Sequence, residues 1–324
     1  MKKIAVFDSK EYDIESLKKM NEGRYELQFF DTKLTKDTVS LAQGFDGVCC
    51  FVNDTVDKEV IDKLVSYNIG VLALRCAGFN NVDLEYAKDK IKVLRVPAYS
   101  PSAIAEHTVA LLLTIERKIH KAYNRSRDFN YSLVGLTGHN LYGKKVGIIG
   151  TGKIGYLVSR ILQGFNMEVL AYDPYPNPKL GLNYVSLDEI YKEADVISLH
   201  CPLTNDNFHM INDDSINKMK DRVVIINTSR GGLIDSKALL KGLESKKIRG
   251  VGLDVYEEEA GLFFNDNSAK VNIDETLRLL STLPNVIITA HQAYLTYEAL
   301  RNIALTTFCN FDAYFSGGEL VNQV

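Results

Sequence analysis

Three residue types at the ends of apolar runs set the chemistry open to this chain. Arg230 follows the run VVIINTS and precedes two glycines, and His291 follows NVIITA. An acidic run, Glu257–Glu259, lies shortly after Asp254 at the end of GVGLD. An arginine at a strand end suits a two-point grip on a carboxylate, although the same position also suits a surface ion pair. An imidazole, with an ordinary pKa of about 6.5, both gives and takes a proton near neutrality; a satisfied histidine at a strand end is the competing reading. A carboxylate touching that ring favours the imidazolium form, which carbonyl reduction needs. Spacing does not distinguish Glu259 from Glu257 or Glu258 as that carboxylate. His107, His120, His139 and His209 are weaker candidates, and His200, beside Cys201 and Pro202, is expected to abut a cofactor rather than react. No two histidines show metal-ligand spacing with a nearby acid, so no metal is expected.

What such groups would serve is indicated by GTGKIG, residues 150–155, within KKVGIIGTGKIGYLVSRILQGF. The motif follows a strand-like run and opens a helix, the context in which a glycine pattern becomes a dinucleotide fingerprint. Gly150 permits a tight turn, Gly152 lets backbone approach a pyrophosphate, and Gly155 allows close helix–strand packing. The helix N-terminus adds free N–H groups and a favourable dipole for phosphate. Asp173 closes the next strand-like run, 18 residues after Gly155. A carboxylate there can bond an adenosine ribose and repels a 2′-phosphate, and DPYPNP brings no arginine. NAD is favoured over NADP.

These residues must be carried by two α/β series. A chain of 324 residues suggests two domains. The first hundred residues alternate helix-like stretches with KIAVFD, YELQFF, DGVCCF, VLALR and KVLRV, apolar nearly throughout as strands of a doubly covered parallel sheet should be. Acids replace glycine after the first of them, in VFDSKEYD. Ser100 and Pro101 read as a helix N-cap and first turn. The stretch 116–127, ERKIHKAYNRSR, reads as a solvated helix face, and 123–143 as an arm or loop. A second series follows from Lys144: KVGIIG, MEVLAYD, DVISLHCP, RVVIINTS, IRGVGLDV and NVIITAHQ, six runs as a complete dinucleotide fold needs. A longer acidic insert, 256–284, precedes the last run, and 296–315 reads as a helix returning to the first domain.

Composition excludes several classes. Hydrophobic residues make up 46% and charged residues 24%, values of an ordinary globular protein. A net charge of −3 and a pI near 6.1 leave no broad basic field for nucleic acid or anionic membrane. The apolar runs are too short to span a bilayer, and MKKIAVFDSK has no signal-peptide core. Five cysteines form no CxxC pair and mostly sit in apolar runs, so reduced thiols in a cytoplasm are expected.

Together the motifs resemble those of the D-isomer-specific 2-hydroxyacid dehydrogenases, and within them the fermentative bacterial D-lactate dehydrogenases. The family motifs are GTGKIG, NTSRGGLID (227–235), GLDVYEEE (252–259) and AHQA (290–293); the subgroup motifs are LRCAGFNNVDL (74–84), RVPAYSPSAIAEH (95–107) and GLFFNDNS (261–268). The resemblance implies an α/β fold of two doubly wound parallel-sheet domains, a Rossmann NAD domain (101–296) and a flavodoxin-like substrate domain (1–100 and 297–324), with the active site in the cleft between them. It implies Arg230 as substrate anchor, His291 as acid/base and Glu259 as its partner. It further implies substrate contacts from the amides at Ala77 and Gly78, from Tyr99 and from Tyr294. Cofactor contacts are implied at Lys153, Ile154, Asp173, Cys201, Pro202, Asn207, Thr228 and Asp254. The expected reaction is reversible reduction of pyruvate to D-lactate by NADH. A larger 2-oxo acid such as 2-oxoisocaproate or phenylpyruvate is the alternative substrate, and an NAD(H)-sensing corepressor is the remote alternative role. A homodimer or homotetramer is implied, joined through the long helix and arm at 101–143.

Overall fold

Runs of apolar residues covered on both faces form parallel strands, and this chain builds two such sheets. The computed structural model describes residues 1–259, 261–264, 266–268 and 274–324. Asn265 of the GLFFNDNS motif and part of the acidic insert lie outside the described residues. The chain divides into two compact units, Met1–Ser100 with Leu295–Val324, and Pro101–Tyr294. The second crossing falls at 295 rather than 297. Thr296 already caps the last helix, its hydroxyl accepting from the Ala299 amide.

In the first unit the strands are β1 (Lys3–Val6), β2 (Glu26–Phe29), β3 (Gly47–Cys50), β4 (Val71–Leu74) and β5 (Lys92–Leu94). They pair in parallel in the order β2-β1-β3-β4-β5, so the strand order reverses between β1 and β3. Helices α1 (Glu11–Asn21), α2 (Lys58–Ser66) and α3 (Leu84–Ala87) connect them. Asp57 and Asp83 cap α2 and α3 through their carboxylates. Ile4, Val6, Val71 and Leu94 pack with Tyr25, Phe308 and Phe311 in one apolar cluster.

The second unit opens with α4 (Pro101–Arg117), where proline takes the first helical position, whose N–H needs no partner. A left-handed Lys118 breaks the helix before α5 (Ile119–Arg127), none of whose residues is buried. The region read as arm from 123 is therefore helical to 127, and irregular chain begins at 128. Glu116 departs from the solvated face expected of 116–127: it is buried and held in a two-point ion pair by Arg249 at 2.6 and 2.7 Å. Next come β6 (Lys145–Ile149), α6 (Lys153–Gly164), β7 (Glu168–Tyr172), β8 (Asn183–Tyr184), α7 (Leu187–Glu193), β9 (Val196–Leu199), α8 (Asp213–Lys218), β10 (Val223–Asn227), α9 (Ser236–Glu244), β11 (Ile248–Leu253), α10 (Glu275–Thr282) and β12 (Val286–Ile288). The sheet is parallel, in the order β12-β11-β10-β9-β6-β7-β8. All six strand-like runs are strands. A seventh strand, β8, escapes sequence reading because two residues carry no periodicity. The last helix, α11 (Tyr297–Ser316), belongs to the first unit, where it packs on α1 and β4.

All five cysteines are free; Cys49, Cys50, Cys76 and Cys201 are buried and Cys309 is exposed. No helix among the described residues is long and apolar enough to cross a membrane.

Candidate active site

Ligands of open α/β sheets bind beyond the carboxyl ends of the strands, and at that edge of the second sheet three loops carry the chemical groups. After β10, the buried Asn227 closes a turn with both ends of its amide: Oδ1 accepts from the Ser229 amide (3.0 Å) and Nδ2 donates to the Arg230 carbonyl (2.8 Å). Ser229 Oγ donates to the Cys201 carbonyl (2.6 Å), tying the turn to the loop after β9. Arg230 projects from this turn with an exposed side chain whose Nη1 donates only to the neighbouring Ser229 carbonyl (2.7 Å). Among the described residues it forms no ion pair, so its charge is open to an anionic ligand.

After β12, His291 donates from Nδ1 to Glu259 Oε1 at 2.9 Å. An ionised carboxylate only accepts, so the proton sits on Nδ1 and Nε2 is left to exchange a proton with a ligand. The other Glu259 oxygen accepts from the Tyr256 amide (3.0 Å), which fixes the carboxylate's direction. The three adjacent glutamates thus separate: Glu259 meets His291, while Glu257 meets His209 at 2.7 Å. Phe264, which sequence reasoning did not single out, lies with its ring centroid 5.8 Å from that of His291.

His291 itself sits at φ 54°, a left-handed conformation that costs a residue with a Cβ roughly 1–2 kcal/mol. Asp254 holds it there. Its carbonyl accepts from the His291 amide (2.7 Å), and its carboxylate accepts from the amides of Gln292 (2.9 Å) and Ala293 (2.8 Å) and from Thr289 Oγ1 (2.5 Å). His107 Nε2 lies 3.4 Å from the same carboxylate and 3.1 Å from Thr289 Oγ1. Burial alone would push the Asp254 carboxyl up; the donors from His107, Thr289, Ala293 and Gln292 outweigh it and hold it below the usual carboxylate range. At 1% exposure, this carboxylate, expected on the cofactor, spends its acceptor sites on the loop that carries His291. Thr289 carries no signal in the sequence and His107 ranks only among the weaker histidines; the signal, a histidine opposite the AHQA motif, appears only once α4 lies on β11 and β12.

The glycine loop after β6 has the shape a dinucleotide requires. Gly150 has φ 93°, and a Cβ there would lie 2.6 Å from the backbone of His200 and Cys201. A Cβ on Gly155 would collide with the Gly150 carbonyl, whereas Gly152, the N-cap of α6, faces open space. The amides at that helix end, beside a Gly152 where a Cβ would meet open space, suit a pyrophosphate. Asp173 follows β7; its Oδ2 accepts from Thr151 N (2.8 Å) and Oγ1 (3.0 Å), and its Oδ1 from Tyr175 N (2.9 Å). Lys153 opens α6 exposed to solvent, and Ile154 packs half-buried on the core. Asn207 folds the loop after β9, donating to the Pro202 carbonyl (2.8 Å) and accepting from Thr204 N (2.7 Å). Thr228 Oγ1 is 2.8 Å from Thr108 Oγ1. Burial pushes the Cys201 thiol up to about 11, so it is not a nucleophile at neutral pH. Burial pushes the His200 imidazole down to about 3; it stays neutral, 2.8 Å from Ser198 Oγ.

In the first unit, the loop after β4 has its carbonyls engaged: Ala77 O accepts from Arg95 Nη1 (2.8 Å) and Gly78 O from Cys76 Sγ (3.3 Å). Among the described residues, no group accepts from the amides of Ala77 and Gly78. Asn302 Nδ2 donates to the Tyr99 carbonyl (2.8 Å). Tyr294 is buried in the second unit.

Residues 109–293 match the family described as D-isomer specific 2-hydroxyacid dehydrogenase, NAD binding domain. The chain belongs to this family. The enzyme is 51% identical to a 2-hydroxyacid dehydrogenase homolog of Haemophilus influenzae and 49% identical to the D-lactate dehydrogenase of Escherichia coli, each match covering 99% of both chains. Its structure is similar to that of the pyruvate reductase of Chlamydomonas reinhardtii, with a TM-score of 0.96 at 43% identity, over 99% of this chain and 98% of the other. The enzyme is thus an NAD-binding oxidoreductase of α/β architecture.

Proposed function

We propose that the enzyme is an NAD-dependent D-lactate dehydrogenase that reversibly reduces pyruvate. The observation that carries this reading is the pairing of His291 with Glu259, which leaves Nε2 open at a strand end of the same sheet that carries Arg230, an arginine with no ion pair among the described residues. Full-length similarity to the E. coli D-lactate dehydrogenase narrows the substrate. Arg230 takes the substrate carboxylate in a two-point hold. His291 Nε2 gives its proton to the keto oxygen as the carbonyl π bond opens. NADH, when bound, would supply the hydride for the new C–H bond at C2. Arg230 stabilises the charge growing on that oxygen, and Glu259 balances the imidazolium before the proton leaves. Gly150, Gly152, Gly155 and the N-terminus of α6 hold the pyrophosphate, Asp173 holds the adenosine ribose, and Lys153, Ile154, Cys201, Pro202, Asn207 and Thr228 bound the rest of the nucleotide.

The test is turnover, followed by loss of NADH absorbance, with pyruvate, 2-oxoisocaproate, phenylpyruvate, oxaloacetate and glyoxylate ranked by kcat/KM and the product resolved by chiral chromatography. Pyruvate ranked first with D-lactate as product supports the proposal. A bulkier acid ranked first changes the substrate, and no turnover on any of them moves the chain toward a nucleotide-sensing role.

The partner we assign is a second copy of this chain. The arm after α5 is shaped by Arg125, which donates to the Val134 carbonyl (2.7 Å), and by Lys118, which donates to the Gly135 carbonyl (2.9 Å). It nevertheless presents Phe129, Tyr131, Leu133, Val134 and Tyr142 to solvent. Large apolar side chains left exposed on a segment held in shape mark an interaction surface. Light scattering after gel filtration should find a dimer or tetramer, and Leu133→Asp with Val134→Asp should yield monomer; a monomeric parent would refute the assignment. Free thiols suit a reducing compartment, and we assign the enzyme to the cytoplasm, which cell fractionation tests.

A further inference from the structure

The acidic run contains two His–Glu pairs, and the second has no part in the chemistry above. His209 Nε2 lies 2.7 Å from Glu257 Oε2, and the other oxygen of Glu257 accepts from the Ser236 amide at the start of α9 (3.0 Å). The ring of Phe208 stacks on the imidazole at 3.8 Å. The His209 amide donates to the Gly232 carbonyl (2.9 Å), and Asn212 Nδ2 donates to the His209 carbonyl (3.0 Å). Like His291, His209 sits in the left-handed region, at φ 52°, where a residue with a Cβ persists only if its surroundings hold it.

These contacts converge on the segments bearing the reacting groups. Gly232 is two residues past Arg230, and Glu257 is two residues before Glu259. Between them, a Cβ on Gly231 would collide with the Tyr256 carbonyl and the Glu257 amide, so the Arg230 loop lies directly on the turn that aims Glu259. Tyr256, whose amide bonds Glu259, is held from the other side by its hydroxyl, 2.5 Å from Asp274. Ile211 and Ile234 add a parallel bridge between the His209 segment and the Arg230 loop.

We propose that Glu257 and His209 are a positioning pair for the reaction, locking the Arg230 loop against the Tyr256–Glu259 turn so that the anion anchor and the His291 partner hold a fixed separation. The inference rests on the site reading of Arg230, Glu259 and His291. Neither member of the pair touches substrate. A displacement of about 1 Å in such a site costs up to roughly 100-fold in rate, so loss of the lock registers in turnover before it registers in nucleotide binding, whose pyrophosphate loop lies after β6 and outside these contacts.

The experiment compares Glu257→Ala, Glu257→Gln and His209→Phe, full-length and checked for folding by circular dichroism, in pyruvate reduction and in NADH binding by fluorescence. Glu257→Ala and His209→Phe should each lower kcat/KM for pyruvate by about tenfold to 100-fold while the NADH dissociation constant stays within about twofold. Their pH–rate profile for reduction should move toward acid, in the direction of Glu259→Gln. Glu257→Gln, whose amide can still meet both partners, should recover most of the activity and the parental profile. A folded Glu257→Ala with parental kcat/KM and profile would overturn the proposal. So would Glu257→Gln as impaired as the alanine variant, which would make charge rather than position the cause. Should the alanine variant not fold, His209→Phe, which keeps a ring against Phe208, carries the same comparison. Arg230→Lys and His291→Gln run alongside: impaired controls with an unimpaired Glu257→Ala sink only this proposal, whereas controls near parental turnover sink the site reading and this proposal with it.

Discussion

Replacing Asp254 by asparagine should disable the enzyme by releasing the turn that carries His291. The carboxylate receives hydrogen bonds from Thr289 Oγ1 and the amides of Gln292 and Ala293, with His107 beside it. Asparagine keeps one oxygen, which can still accept from Thr289 and Gln292, but its NH2 then faces the Ala293 amide, a donor against a donor. A charge-assisted bond of about 1.5–3 kcal/mol is lost, and a buried amide is left unpaired at a cost of about 1–3 kcal/mol. These overlap, so about 3 kcal/mol is the local penalty. Returning His291 from φ 54° to an ordinary conformation recovers roughly 1–2 kcal/mol of it, which favours relaxation of the turn. Nε2 then moves out of line, and kcat should fall roughly 100-fold. The assay is kcat for pyruvate reduction at saturating NADH, with NADH affinity measured separately by fluorescence. A kcat within about threefold of the parent would refute the reasoning, because a loosened catalytic turn is expected to cost more. So would selective loss of NADH affinity with kcat intact, which would return Asp254 to a nucleotide contact.

Arg230→Lys should raise KM for pyruvate and lower kcat together, since an ammonium cannot reproduce the two-point hold; His291→Gln should lower kcat with little change in KM, read from the same saturation curves. Glu259→Gln should move the pH optimum for reduction toward acid, and an unmoved optimum would show that the carboxylate does not support the imidazolium. Asp54 provides a test of the first unit. Burial raises its carboxyl from 3.8 to about 6, against the opposing pull of Arg75 and of the Phe51 and Leu34 amides. Because the folded value lies above the unfolded one, the folded state binds more protons between these two pH values. Resistance to urea should therefore fall as pH rises from about 4 to 6, by up to about 3 kcal/mol from this group, and Asp54→Asn should flatten that window; an unchanged slope in the variant would assign the pH dependence elsewhere.

Both sheets were legible because their signals are local. Parallel strands buried on two faces are continuous apolar runs, and the five runs of the first unit and six of the second all became strands. The glycine loop was legible for the same reason: each glycine answers a steric demand within a few residues of itself, and its geometry follows. The misreadings came where local signal is weak or ambiguous. Residues 123–127, read both as the end of a solvated helix face and as the start of an arm, belong to the helix α5, and Glu116, charged and on a helix surface in sequence, is buried against Arg249 from β11.

The site divides along the same line. Residue types at strand ends showed that an arginine, a histidine and an acid were available, and the resemblance chose among the acids. Three consecutive glutamates are chemically identical, so no spacing argument could separate them; their partners lie 32 and 48 residues away and meet them only after folding. The same holds for Asp254, whose carboxylate is claimed by amides 38 and 39 residues downstream once β11 and β12 pair. Short-range sterics and burial are written in the order of residues. The direction of a carboxylate, and the neighbour that fills its lone pairs, belong to loops that only the paired strands bring together.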